Sequence, residues 1–135
     1  MEKRVNLVLW NLVLLDVVIA TVALGFPEVW CWVFHGSDWP SFTDPYGLLR
    51  RTGASWAAFA IFQTLAALRW KREPFWLVLV AGLRLGEIFT DWIYLGFASS
   101  AGAMTWFGAA ALFISPPANA WIGYYLVGCY RKLSR

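Results

Sequence analysis

The stretch Pro74–Phe97, PFWLVLVAGLRLGEIFTDWIYLGF, decides how the rest of the chain is read. It is apolar over nearly all of its length. At about 1.5 Å per helical residue it can cross the roughly 30 Å hydrocarbon layer of a bilayer. Pro74 suits the first helical turn, where its missing N–H costs no hydrogen bond. Yet the same stretch carries Arg84, Glu87 and Asp91. Spacings of three and four put these groups within about 60° of one another on a helix, so they form one polar stripe. Tyr94 continues the stripe, and Thr90 stands to one side. An ionic group facing lipid at mid-bilayer costs at least about 2.5 kcal/mol, so the stripe has to turn towards other helices.

The flanking sequence supplies those helices. Apolar segments run over Val5–Phe26, ended by Pro27, over the alanine-rich Thr52–Trp70, ended by Lys71-Arg72-Glu73, and over Ala103–Tyr130. The 135 residues are 60% hydrophobic and 14% charged, where a soluble domain carries about 25% charged residues. The expectation is an all-α polytopic membrane protein, a single domain over 1–135, with four transmembrane helices in one bundle. Its spans would be 5–26, 52–70, 74–97 and 103–130. Pro116-Pro117 interrupts the last of these. Prolines remove backbone donors, so either one span kinks there or a short interfacial or re-entrant piece over 104–114 precedes a span from Pro117. The single kinked span is the reading adopted.

Depth matching identifies partners for the stripe. Asp16 on the first span falls at nearly the depth of Arg84, and Gln63 on the second within about a turn of it. Arg84 is then neutralised by Asp16 or by Glu87. One arginine against Asp16, Glu87 and Asp91 leaves two carboxylates over. These call for protonation, for Arg50 or Arg51 at the outer mouth, or for a cation or a donor-bearing ligand. The candidate site is therefore Asp16, Gln63, Arg84, Glu87, Asp91 and Tyr94. It serves either as a structural latch or as a proton relay or polar ligand pocket. No nucleophile accompanies a base in it, so catalysis is not expected.

Other features are less specific. Most of the ten tryptophans lie near span ends, as an aromatic belt at the headgroups requires. Trp56 and Trp92 sit deeper and are candidates for contact with a partner helix or a pigment, as is His35 beside Trp32 and Phe34. No cofactor motif occurs, although pigments, quinones and lipid tails all pack on such aromatic surfaces. His35, Asp38 and Asp44 do not have metal-ligand spacing, and Asp44-Pro45 reads as a helix start. Cys31 and Cys129 belong to no ligand pattern and fall on opposite membrane sides. Gly82 and Gly86 form a GxxxG pair, and Ala54 and Ala58 a small-residue pair, both read as packing between helices of this chain.

Four spans in this length, the loop leading through Asp44-Pro45 into Leu48-Leu49-Arg50-Arg51-Thr52-Gly53-Ala54, and the Arg84-bearing third helix together resemble the DoxX-like group of small bacterial membrane proteins. The resemblance implies a bacterial inner-membrane location and association with a redox complex. The expected function is a non-enzymatic accessory or structural subunit that contacts membrane lipids and other integral membrane subunits, in a respiratory or photosynthetic complex. The alternative is a small ligand-binding or proton-coupled transport protein that uses the intramembrane Asp/Arg/Glu cluster.

Charge sets the orientation. Of eleven basic residues, Lys3, Arg4, Arg69, Lys71, Arg72, Arg131, Lys132 and Arg135 share one side, and only Arg50 and Arg51 lie on the other. Basic residues placed at the ends of apolar runs mark membrane orientation and not a nucleic-acid partner, and they put both termini in the cytoplasm. Single cysteines introduced at Lys71 and at Lys132, in a background lacking Cys31 and Cys129, should react with a membrane-impermeant thiol reagent only after spheroplasts are opened. Labelling of either in intact spheroplasts would reverse the orientation.

Overall fold

Punctuation by proline and glycine determines where the helices begin and end. The computed structural model describes residues 1–36, 45–100 and 104–134. Helix α1 spans Glu2–Gly25 and stops at Phe26, whose backbone leaves the helical region ahead of Pro27 because a residue before proline is pushed out of it. Pro27 opens a short second helix, α2, over Pro27–His35. Gly36 closes it at φ 75°, a left-handed conformation that glycine adopts without strain. Helices α3 (Pro45–Arg69), α4 (Trp76–Ser100) and α5 (Trp106–Leu133) follow. The fold among the described residues is all-α.

Helix α2 corrects the sequence reading, which places no helix between Pro27 and the helix start at Asp44-Pro45. Its buried residues are Pro27, Cys31 and His35, a repeat of four that lines one helical face. Helix α3 opens at Pro45, where Asp44-Pro45 reads as a helix start, and so begins ahead of the expected span 52–70. Helix α5 runs through Pro116 and Pro117 as one helix, so no separate re-entrant piece forms. Each proline deprives one carbonyl in the preceding turn of its partner, those of Leu112 and Phe113.

Two antiparallel pairs make up the bundle, α1 with α3 and α4 with α5. At one end of the first pair Lys71 meets Glu2 at 2.9 Å and Trp70 Nε1 donates to Asn6 Oδ1 at 2.8 Å. The Lys71 hydrogen bond holds the Glu2 carboxyl below its ordinary range. At the other end Gly53 lies against Ala23 and Leu24. In the second pair the Phe75 and Tyr130 rings approach to 6.5 Å. The pairs share an apolar core that includes Val5, Leu9, Trp70, Leu77, Val80 and Leu126. Trp70, expected in the headgroup belt, is 1% exposed and belongs to this core.

Thr105 ties α5 to α2. Its hydroxyl donates to Val33 O at 2.6 Å and accepts from Gly108 N–H at 3.1 Å, while its backbone N–H reaches Phe34 O at 2.9 Å. By length and composition, α1 is the helix among the described residues apolar enough to cross a membrane, with a mean hydropathy of 2.4 in its most apolar window. The polar stripe of α4, the glutamine and small residues of α3, and the prolines and asparagine of α5 lower the hydropathy of the others.

Close approach between helices falls at other glycines than expected. A Cβ on Gly82 or Gly86 meets no atom within 4 Å, so this pair does not pack within the chain. A Cβ on Gly108 would lie 2.5 Å from Phe34 O, and one on Gly123 would lie 2.9 Å from Leu85 Cγ. Gly108→Ala should therefore destabilise the fold by about 1–3 kcal/mol, the usual cost of overpacking, and Gly82→Ala should be neutral or stabilising. Thermal melts followed by circular dichroism in mild detergent would check the order, and equal melting temperatures would refute it.

Candidate functional site

The helix pairs place one side chain each from α1, α3 and α4 at the centre of the bundle. Asp16 and Gln63 are fully buried, and Arg84 is 3% exposed. Gln63 Nε2 donates to Asp16 Oδ2 at 2.6 Å, and Arg84 Nη2 donates to the same oxygen in an ion pair. Of the two partners the sequence allowed Arg84, Asp16 is the one in contact. A single carboxylate oxygen thus receives both donors, while Asp16 Oδ1, Gln63 Oε1 and Arg84 Nε have no hydrogen-bond partner among the described residues.

From this pair a polar column climbs α4 towards α2. Glu87, one turn on, is half-buried and faces Trp56 of α3, with Asp91, Arg84 and Asp16 as its charged neighbours. Asp91 accepts from Ser115 Oγ at 2.5 Å, and Ser115 Oγ accepts in turn from Asn119 Nδ2 at 3.2 Å. Asn119 is buried on α5. Tyr94 Oη lies 2.8 Å from His35 Nε2, with the two rings edge to face. The column therefore joins residues of all five helices: α1 and α3 at its base, α5 midway and α2 at its head.

This placement sorts the sequence candidates. Asp16, Gln63 and Arg84 form one contact set, while Glu87, Asp91 and Tyr94 share the stripe but bind different helices. His35 is buried and turned inward onto Tyr94. Trp56 is half-buried with its ring 5.0 Å from Trp30, and Trp30 stacks on Phe34 at 4.4 Å, so Trp56 packs within the chain. Trp92 is 57% exposed on the outside. Arg50 and Arg51 are exposed, and the ion pairs among the described residues are Arg84–Asp16 and Lys71–Glu2. Asp38 and Asp44, weighed as metal ligands with His35, lie outside the described residues.

Ser115 and Asn119 were missed as site residues. Their spacing of four on an otherwise apolar helix is a legible polar pair, but Pro116-Pro117 between them reads as a break in the helix, across which that spacing would not hold. Chemically, the column offers carboxylates, a phenol, an imidazole and an amide that can hold a proton or hydrogen-bond a polar guest. No protein family matches the chain, and neither does any curated protein or solved structure.

Arg84→Leu should cost about 3–5 kcal/mol, because it leaves a carboxylate buried without its cation. Combining it with Asp16→Asn should recover part of that loss. Folded yield in mild detergent, compared across both single variants and the double variant, measures the coupling. Strictly additive losses would show that the two side chains do not act as a pair.

Proposed function

We propose that the chain is a four-span integral membrane protein of the cell inner membrane with both termini cytoplasmic, acting as a non-enzymatic subunit that packs against helices of partner membrane proteins. The observation that carries this reading is an inverted distribution of polarity. Asp16, Gln63, Arg84, His35 and Asn119 are buried, whereas Leu14, Ile61, Leu68, Phe89, Phe97 and Phe113 are each more than 60% exposed. A water-soluble monomer rarely exposes apolar surface on every long helix, whereas lipid accepts such surface and penalises the polar groups.

Contact with partners, beyond contact with lipid, is supported by two faces. Gly82 and Gly86 stand open on the outside of α4 near Phe89, and small residues at this spacing admit a second backbone closely. Between α1 and α3 runs a groove of about 310 Å³ whose lining includes Ala20, Thr21, Ala57, Ala60 and Thr64. The hydroxyls of Thr21 and Thr64 bond to carbonyls of their own helices, which leaves the groove apolar. The resemblance of the sequence to DoxX-like proteins implies the same role.

A second reading rests on Glu87 and Asp91, two carboxylates in the column that are not ion-paired with Arg84. As a proton or ligand path they would make the protein a small carrier. The two readings separate in one set of variants. For a subunit, Trp92→Ala should weaken partner co-purification in mild detergent by removing exposed contact area, and Asp91→Asn should be nearly silent. Trp56→Ala should instead lower the stability of the chain itself. Unchanged co-purification in Trp92→Ala, together with loss of a measurable proton or ligand flux in Asp91→Asn, would favour the carrier.

A further inference from the structure

We infer that the cytoplasmic end of α5 is a seat for an anionic glycerophospholipid, centred on Gly128. The inference rests on the membrane placement proposed above. A concavity of about 400 Å³ opens on α5, with Trp121, Tyr124, Tyr125, Gly128, Arg131 and Lys132 among its lining residues. These residues form one continuous helical stripe, because 121, 125, 128 and 132 on one row and 124, 128 and 131 on the other are spaced by three and four. Gly128 forms the floor, since a Cβ there would meet no atom within 4 Å. On its membrane side Trp121 and Tyr125 stack at 5.7 Å with their planes 11° apart, a flat and stiff apolar wall. On its aqueous side Arg131 and Lys132 are exposed.

This order of groups matches the order of groups in a lipid. An acyl chain lies along the aromatic wall, the glycerol passes over the glycine, and the phosphodiester meets a guanidinium fork and an ammonium. Free phosphate would use only the two exposed cations, where water competes, and would leave the wall idle. A zwitterionic headgroup brings its own cation towards Arg131 and Lys132, so a net negative headgroup is the better complement. Lys3, Arg4, Arg69, Lys71 and Arg72 share the same end of the bundle, and such a basic rim concentrates anionic lipid near the seat.

Native mass spectrometry of the detergent-purified full chain, titrated with phosphatidylglycerol or phosphatidylcholine of matched acyl chains, tests the inference. The chain should retain phosphatidylglycerol at about tenfold lower concentration than phosphatidylcholine. Two variants address shape and charge separately. Gly128→Leu projects a side chain into the concavity from a position where a Cβ has no atom within 4 Å, and Arg131→Gln with Lys132→Gln removes the cations while leaving the wall. Each should bring phosphatidylglycerol retention down to the phosphatidylcholine level with unchanged circular dichroism. Equal retention of the two lipids, or retention unaffected by Gly128→Leu, would overturn the seat. Competition by glycerophosphate as effective as by the intact lipid would overturn the lipid assignment. A chain that leaves membranes on alkaline washing would defeat the membrane reading itself, whereas a chain that stays without lipid preference would defeat the seat alone.

Discussion

The bundle depends on one buried ion pair. Arg84 and Asp16 come from α4 and α1, and Gln63 of α3 binds the same carboxylate oxygen. Removing two charges from water costs several kcal/mol per ion, a penalty offset only when the groups meet with their hydrogen bonds made. Three helices must therefore take the rotation and axial register that bring these atoms together. The apolar surfaces of α1 and α4 would tolerate many registers, but an uncompensated guanidinium among them tolerates none.

Around that pair polarity falls outward. Carboxylates, amides and an imidazole occupy the interior column, the phenol of the exposed Tyr94 reaches its head, and large apolar side chains occupy the exterior. In the proposed membrane setting, the exterior requires no solvent-facing charge, while each interior group requires a partner. Most groups of the column have one: Asp91 has Ser115, Ser115 has Asn119, and Tyr94 has His35. The column thus contributes specificity along its length, even where it adds little to stability.

Helices α2 and α5 extend this constraint to the end of the bundle away from the termini. Thr105 binds the α2 carbonyls with both its hydroxyl and its backbone N–H, and Gly108 allows Phe34 to approach closer than any side chain would permit. His35 is thereby fixed beside Tyr94. The aromatic run Phe34–Trp30–Trp56 then connects α2 to α3, so a helix of nine residues touches all four of its longer neighbours. A short helix with little area of its own is held by such specific contacts.

The all-α class, the four long helices, the polar stripe of α4 and the matching depths of Asp16 and Gln63 could all be read from the chain, because they follow from local composition, helical period and rise per residue. Which carboxylate meets Arg84 could not, since Asp16 and Glu87 both satisfy spacing and charge, and only the way the α1–α3 pair meets the α4–α5 pair separates them. Helix α2 was not legible, because nine residues between a proline and a glycine carry too few turns for their period to stand out. The inward turn of Trp56 and Trp70, the outward turn of Trp92, and the openness of Gly82 and Gly86 depend on how each helix is rotated about its axis. A helix apolar on nearly every side does not encode that rotation locally; the buried polar contacts impose it.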